Sequence, residues 1–306
     1  MNTLETNIQR YLTYCKEQKR LDNKTLKAYR IDLTQFNQLV ETNEITKLNV
    51  EVLEKYIATL HQTFKPKTVK RKIASAKAFF HYLEYKDILQ INPFHKMQIR
   101  FREPVILPKT IPLSTMEQLL ITMYDALENA ASTYQKRKTL MDITIVELLF
   151  ATGIRISELC KLKSSDIDFT TNTIIIFGKG SKERRLQIVN DNVCSIIARY
   201  YNCYEKQIIS TGYFFSSKSG EALSDQYVRK MINKYSSLAG IAMHITPHMF
   251  RHTFATSLLE SDVDIRYIQE MLGHSSINIT QIYTHVTTAK QNDILKNKHP
   301  RKDFRI

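Results

Sequence analysis

Glycine is missing from the first half of this chain, and proline is nearly missing from its first third. All seven glycines lie at or after Gly153, and Pro66 is the single proline before residue 91. Because these two residue types interrupt regular secondary structure, their scarcity predicts that residues 1–90 are almost entirely helical.

Cysteines and long apolar runs are also scarce. The four cysteines are widely spaced and lack the close pairs of a zinc site or a disulfide framework, so we expect reduced thiols in a cytosol. No run of about 18 apolar residues occurs, and no apolar segment follows a basic start. The sequence therefore predicts neither secretion nor a membrane span, and we expect a cytoplasmic protein.

Acidic residues are outnumbered by basic ones. The 306 residues include 44 Lys and Arg against 30 Asp and Glu, for a net charge of +14. Such a chain attracts polyanions at long range, and nucleic acid is the leading candidate partner. A basic surface can also serve solubility or meet an anionic membrane. The length allows about two domains with sizeable cores.

The hydrophobic pattern predicts a mainly helical protein with two domains. Residues 1–90 form a bundle of amphipathic helices around 3–18, 24–42, 49–63 and 67–86, and Asn23 is expected to cap the second. Residues 91–114 contain four prolines and are predicted to be an extended linker. Residues 115–306 form a second helical domain. It includes one small antiparallel β-sheet, in which apolar segments flank a Gly178-Lys179-Gly180 turn.

One segment of the first domain is strongly basic. Residues 65–77, "KPKTVKRKIASAK", hold six Lys or Arg and no acid, together with small and apolar residues. We expect one helix face to pack and the other to meet phosphate, although a merely solvated face would have the same composition. The predicted DNA-binding residues are Lys65, Lys67, Lys70, Arg71, Lys72 and Lys77.

Several residues of the second domain have both an ordinary and a chemical interpretation. Arg155 and Glu158 are three apart and could form either a surface ion pair or a fixed guanidinium. His248 and Arg251 follow Pro247, which suits the first turn of a helix. The spacing of His248 from its neighbouring histidines could suggest a metal site. Pro247 interrupts the helix that this site would need, so no metal is predicted.

Taken together, these side chains supply what breaking a phosphodiester without a metal requires. Paired arginines stabilise the charge that develops on the phosphoryl oxygens. Tyr283 can act as the nucleophile with His248 as its base, and Lys179 can protonate the leaving oxygen. His274 can donate a further hydrogen bond to the phosphoryl group.

Four segments carry a resemblance to a known family. "ATGIRISELCKLKSSDID", "GKGSKER", "TPHMFRHTFAT" and "MLGHSSINITQIYTHV" resemble the boxes of the tyrosine recombinase, or phage integrase, family in order and separation. The resemblance covers about residues 115–290. Residues 1–90 resemble the family's core-binding domain in size, helicity and charge alone.

The resemblance assigns roles to individual residues. It implies Tyr283 as the nucleophile and Glu158 as a supporting acid, while His252 and His285 would be structural. The implied activating residues are Arg155, Lys179, His248, Arg251 and His274.

The resemblance also implies a mechanism and an assembly. Tyr283 would form a 3′-phosphotyrosyl bond and release a 5′ hydroxyl. The 5′ hydroxyl of a partner duplex would then attack this bond, release the tyrosine and rejoin the strands, with no need for ATP, a metal or a cofactor. Two such exchanges through a Holliday junction imply four protomers on two duplexes with inverted-repeat core sites, near the nucleoid. A partner recombinase or an accessory protein could also take part.

Alternatives remain at this stage. A type IB topoisomerase shares the tyrosine chemistry, and a catalytically silent DNA-binding accessory protein would share the basic surface. Residues 289–306 could pass to a neighbouring protomer or form a basic tail. Dimer resolution of chromosomes or plasmids and integration of a mobile element both suit a two-domain, Xer-like chain.

Overall fold

The structure is a computed structural model that describes residues 3–99, 108–178 and 183–273. The chain divides into two compact units, Met1–Val105 and Ile106–Ile306, and each has its own hydrophobic core. Over the described ranges both units are mainly helical and the second contains a small sheet, which confirms the predicted fold class. None of the helices in these ranges is long and apolar enough to cross a membrane.

The first unit is a four-helix bundle, as its amphipathic pattern predicts. Its helices are α1 (Leu4–Glu17), α2 (Asn23–Leu39), α3 (Val50–Thr63) and α4 (Pro66–Tyr85). Asp22, rather than the expected Asn23, caps α2, because its carboxylate accepts a hydrogen bond from the backbone N–H of Thr25. Pro66 occupies the first position of α4, where its missing N–H removes no helical hydrogen bond.

The predicted extended segment over residues 91–114 is wrong at its start. Pro93–Lys96 form a short 3-10 helix. The Phe94 ring is buried in the core of the first unit, with its centroid 5.1 Å from that of Phe80 and the two rings nearly perpendicular. Burial of this apolar ring favours folding the segment back onto the bundle over leaving it extended in water.

The second unit is built around one long buried helix. Its helices are α5 (Leu113–Glu128), α6 (Thr133–Thr152), α7 (Ile156–Leu159), α8 (Asp191–Thr211), α9 (Asp225–Leu238), α10 (Pro247–Glu260) and α11 (Ile265–Leu272). Every residue of α6 from 139 to 149 is buried, and α5, α8, α9 and α10 all pack against it. A helix that is buried on all sides belongs in the centre of a domain.

Two buried acids on α6 are hydrogen-bonded to tyrosines of neighbouring helices. Tyr227 and Tyr235 of α9 donate to Asp142 at 2.6 and 3.2 Å, and Tyr124 of α5 donates to Glu147 at 2.8 Å. Burial raises the pKa of both carboxyl groups above their ordinary values. These bonds therefore satisfy polar groups whose desolvation is unfavourable, and they attach α5 and α9 to α6.

The predicted small antiparallel sheet is present in the second unit. Its strands are β1 (Ile167–Asp168), β2 (Thr173–Phe177) and β3 (Glu183–Gln187), in the order β1-β2-β3. On β2, Ile174 and Ile176 face the core, and on β3 the same face carries Arg184 and Leu186. In the register of the sheet Ile176 lies opposite Arg184. An arginine thus occupies a core-facing position of β3.

Candidate active site

Arg155 lies in the tight turn between α6 and α7. Gly153 ends α6 with φ +58°, and a Cβ at this position would lie 2.7 Å from Cδ1 of Phe254. Glycine is therefore required both by the left-handed backbone and by the close approach of a side chain. Because α7 begins only at Ile156, the turn leaves the side chain of Arg155 32% exposed.

Glu158 makes the predicted contact with Arg155. Its Oε1 accepts a hydrogen bond from Nη1 of Arg155 at 2.7 Å, and its Oε2 accepts one from the backbone N–H of the same residue at 3.0 Å. Burial raises the pKa of Glu158, but the bonds and charges of Arg184 and Arg155 outweigh it and hold the pKa below its ordinary value. Glu158 is therefore a carboxylate at neutral pH, with a side chain only 6% exposed.

Arg251 reaches the same place from α10. Its Nη1 donates to the carbonyl oxygen of Gly153 at 2.8 Å, and its Nη2 donates to that of Leu272 at 2.6 Å. Nη1 of Arg155 approaches the Leu272 oxygen at 3.4 Å. Two arginines that are distant in the sequence therefore share the Leu272 carbonyl. Arg251 is the more deeply buried of the two, with 4% of its surface exposed.

The carboxyl end of α11 is where the arginines meet. Gly273 ends this helix with φ +63°. Nε of Arg184 donates to the Met271 oxygen at 2.8 Å, and Nη2 of Arg155 lies 3.4 Å from the Gly273 oxygen. The last carbonyls of a helix lack helical partners and carry partial negative charge, so cations are favourable there.

His248 is the second residue of α10, directly after Pro247, and remains exposed. The pKa of His248 lies below the ordinary histidine value. Neighbouring groups partly desolvate the ring, and the positive charges of Arg229, Arg251 and Arg155 disfavour a further positive charge on it. The neutral imidazole, which can accept a proton, is thereby favoured.

Three predicted site residues fall outside the described part of the chain. Lys179 lies in the connection between β2 and β3, His274 directly follows Gly273, and Tyr283 is further along the chain. Their roles stay predictions.

Arg184 is the residue of this cluster that the sequence interpretation missed. Its side chain is 7% exposed, and Nη2 and Nη1 bind the two oxygens of Glu158 at 2.8 and 3.2 Å. The sequence does contain a signal for this residue. Arg184 stands two and four positions before the apolar Leu186 and Ile188, so all three side chains point to the same face of a strand. An arginine in the inward phase of a strand requires a partner inside the protein.

The Lys and Arg residues of the basic segment, residues 65–77, are exposed except at one position. The exposed residues are Lys65, Lys67, Lys70, Arg71 and Lys77. Lys72 is 2% exposed; its Nζ lies 3.2 Å from Asp32 and 4.8 Å from the centre of the Phe64 ring. This burial corrects the prediction that Lys72 meets phosphate. Arg71 also binds the buried Asp32 but keeps 46% of its side chain exposed.

Two family models match the chain. The model of the phage integrase family matches residues 116–290, and that of the phage integrase N-terminal SAM-like domain matches residues 8–86. A tyrosine recombinase of Agathobacter rectalis is 64% identical over 99% of both chains. This relative favours a recombinase over the catalytically silent accessory protein that the residues alone left open.

Solved structures share the fold. The XerH site-specific recombinase bound to palindromic difH substrate, in a post-cleavage complex, has a TM-score of 0.75 at 20% identity over 94% of this chain and 83% of its own. A lambda integrase tetramer bound to a Holliday junction has a TM-score of 0.68 at 16% identity over 92% and 77%. With both family models matched in order and a relative identical at most positions, the chain belongs to the phage integrase family, the tyrosine recombinases, which are enzymes of site-specific DNA recombination.

Proposed function

We propose that this recombinase exchanges DNA strands through a covalent bond between Tyr283 and a 3′ phosphate. The observation that carries the proposal is the convergence of Arg155 and Arg251 on the Leu272 oxygen, two residues before His274. Adjacent guanidinium groups suit the two non-bridging oxygens of a phosphodiester, whose negative charge grows as the nucleophile attacks.

The remaining steps follow from proton balance. The Tyr283 oxygen bonds to phosphorus as its proton passes to neutral His248, and the bond from phosphorus to the 5′ oxygen breaks. Lys179 protonates that leaving oxygen, and His274 donates a hydrogen bond to the phosphoryl group. The phosphotyrosyl ester keeps the energy of the original linkage, so rejoining requires neither ATP nor a metal.

The proposed partner is double-stranded DNA with inverted-repeat core sites. A homo-tetramer would hold two such sites through a Holliday junction, inside the cytoplasm and at the nucleoid, with or without a partner recombinase. The palindromic substrate of XerH and the junction-bound tetramer of lambda integrase support this assembly for a chain with the same fold.

Residues 1–90 are proposed as a DNA-binding domain that residues 91–114 join to the catalytic domain, residues 115–306. The support is the exposed face of α4, where basic residues surround the small, exposed Ala74 and would allow a duplex to approach closely. Arg71 is held on this face by Asp32, which also accepts a hydrogen bond from Ser75 at 2.8 Å.

Replacing Lys70 or Lys77 by alanine is expected to weaken DNA binding at every sequence. Each lost phosphate contact should reduce the slope of log affinity against log salt by about 0.9. Fluorescence anisotropy of a labelled duplex at several salt concentrations measures this slope. Lys55→Ala is the matched control, because Lys55 is an exposed lysine of α3 that pairs with Glu51 at 3.0 Å.

Lys72→Ala should lower the stability of the bundle and leave the salt dependence of DNA binding unchanged. Removing this buried lysine leaves Asp32 with one cation fewer and is expected to destabilise the bundle by about 3 kcal/mol, with the salt slope unchanged. Thermal unfolding measures the first effect. A reduced salt slope for Lys72→Ala would contradict the assignment of the α4 surface. So would a reduction of the salt slope for Lys55→Ala as large as that for Lys70→Ala or Lys77→Ala.

The lowered pKa of His248 predicts the pH profile of cleavage. A base must be neutral to accept a proton, so the acid limb governed by His248 should lie below pH of about 6.5, the ordinary histidine value. Single-turnover cleavage rates at about ten pH values between about pH 5 and pH 8 locate this acid limb. His248→Gln should slow cleavage and remove this limb, whereas the exposed His244→Gln should keep it.

Stability must be measured beside these rates. Because the folded pKa of His248 is depressed, the unfolded chain binds more protons below pH of about 6.5, and this group lowers stability as the pH falls. Rates are therefore taken well below the unfolding temperature at each pH. An acid limb centred at or above the ordinary histidine pKa would exclude His248 as the base.

The decisive test of the proposed function is the trapping of a protein–DNA adduct. Nicked duplexes from the protein's own locus lose a short fragment after cleavage, so the covalent intermediate accumulates. A DNA-linked protein band on a denaturing gel, formed without metal or ATP, is the expected result. Site-specific binding without an adduct would instead favour a DNA-binding accessory role.

A further inference from the structure

Arg184 uses all three of its guanidinium nitrogens inside the protein. Two bind the oxygens of Glu158 at 2.8 and 3.2 Å, and Nε donates to the Met271 oxygen at 2.8 Å. Its side chain is 7% exposed. Each nitrogen thus has a partner within the protein, which suits a side chain that holds other residues in place.

Glu158 is shared between two arginines. Each of its oxygens accepts one bond from Arg155 and one from Arg184, so four donors surround a single buried carboxylate. The two-pronged contact of Arg184 sets the plane of this carboxylate. Arg155 is therefore oriented by a group whose own position depends on β3.

Arg184 also contacts the end of α11. Gly273 packs so closely against it that an added Cβ would lie 3.1 Å from both Cδ and Nη1 of Arg184. Together with the bond to Met271, this contact attaches β3 to the last turn of α11. The Arg184 side chain thus joins three parts of the unit. These are strand β3, which follows the Lys179 connection, the turn that carries Arg155, and the residue before His274.

We propose that Arg184 is a positioning residue of the cleavage reaction. It holds Glu158 and the carboxyl end of α11 in place, and through Glu158 it sets the orientation in which Arg155 meets the phosphate. This inference rests on the proposed function of Arg155.

The test is Arg184→Lys, which keeps the positive charge but cannot bind Glu158 with two nitrogens while a third reaches Met271. At saturating protein, and at a temperature well below unfolding, single-turnover adduct formation should fall by about 100-fold. The dissociation constant for DNA should change by less than about threefold. Arg185→Lys is the matched control, because Arg185 is the next residue of β3 and lies on its exposed face. It should cleave at the wild-type rate.

A double substitution separates positioning from general damage. In an Arg155→Ala background, Arg184→Lys should cause much less slowing than in the wild type, because the part of its effect that passes through Glu158 acts on a guanidinium that is already absent. A further slowing of about 100-fold in that background would overturn the inference, as would a wild-type rate for Arg184→Lys or a loss of affinity that parallels the loss of rate.

If Arg184→Lys fails to fold, Gly273→Ala provides a second variant, since its Cβ would lie 3.1 Å from Cδ and Nη1 of Arg184 and would press on this side chain while leaving the arginine present. Alanine is also strained at the φ of +63°, so the comparison with the Arg155→Ala background decides which part of the effect passes through Arg184. Gly273→Ala should slow cleavage, and the slowing should be much smaller in the Arg155→Ala background. An unchanged rate, or a slowing that is equally large in that background, would count against the inference. The wild-type protein distinguishes a failure of the proposed function from a failure of the positioning role of Arg184. If the wild type forms no adduct, the proposed function fails; if it does and the variants match it, the positioning role alone fails.

Discussion

Replacing Tyr283 by phenylalanine is expected to abolish covalent attachment of the protein to DNA while leaving DNA affinity unchanged. The substitution removes one oxygen atom and no charge, so the electrostatic attraction of the +14 chain for DNA is retained. Phenylalanine offers no nucleophile, and the proposed mechanism supplies no other group in its place. The loss should therefore be complete, beyond the detection limit of a denaturing gel.

Tyr267→Phe is the matched control for this experiment. Tyr267 lies on α11 with 62% of its surface exposed. It should form the adduct at the wild-type rate. Mapping of the DNA-linked peptide by mass spectrometry adds an independent check, because the modified residue itself is identified. An adduct that persists in Tyr283→Phe, or a modified peptide that lacks residue 283, would remove Tyr283 from the nucleophilic role.

Replacing Arg155 by alanine is expected to slow cleavage by a factor of about 100 to 1,000 at saturating protein, with little change in stability or DNA affinity. The rate should fall because a donor to the charged phosphoryl oxygens is lost. The fold should survive because Glu158 keeps its two-pronged contact with Arg184. Single-turnover rates on nicked duplexes, with the unfolding temperature measured beside them, test both parts.

Replacing Arg251 by alanine should have the same effect on cleavage and a second effect on stability. This side chain is 4% exposed, and its removal takes a donor at 2.8 Å from the Gly153 oxygen and leaves the Leu272 oxygen with the longer contact of Arg155 at 3.4 Å. Each unmade bond costs about 1 to 3 kcal/mol, which corresponds to a lowering of the unfolding temperature by several degrees for a unit of this size. Arg251→Lys should recover part of the stability and little of the rate.

The contrast between the two arginines is itself a check. Arg199→Ala, an exposed arginine of α8, provides the baseline for losing one positive charge from the same unit. Equal losses of affinity and rate in Arg155→Ala would show that it binds DNA in the ground state and does not act selectively on the transition state. A stable Arg251→Ala protein would contradict the contacts that place this residue inside the unit.

Local pattern was sufficient to predict most of the helices. The four helices of the first unit and the hairpin of the second follow from apolar spacing and from the positions of proline and glycine, because these depend on neighbouring residues in the chain. One error is also local. Asp22 rather than Asn23 caps α2, since two suitable capping residues stand side by side. The other error is not: Phe94 draws part of the expected linker into the first unit, which depends on packing against a core that no local pattern displays.

The sequence by itself determined which chemical groups are available: the basic segment on α4, the ion pair of Arg155 with Glu158, and the histidine and arginine after Pro247. Only the tertiary structure decided which cations face outward. Lys70 and Lys72 are both lysines of one helix, and Arg184 and Arg185 are adjacent on one strand. Yet Asp32 draws Lys72 inward and Glu158 draws Arg184 inward, while their counterparts stay exposed. The reason is physical: the burial of Lys72 and of Arg184 is offset by a carboxylate from another segment of the chain, and those pairings exist only after folding.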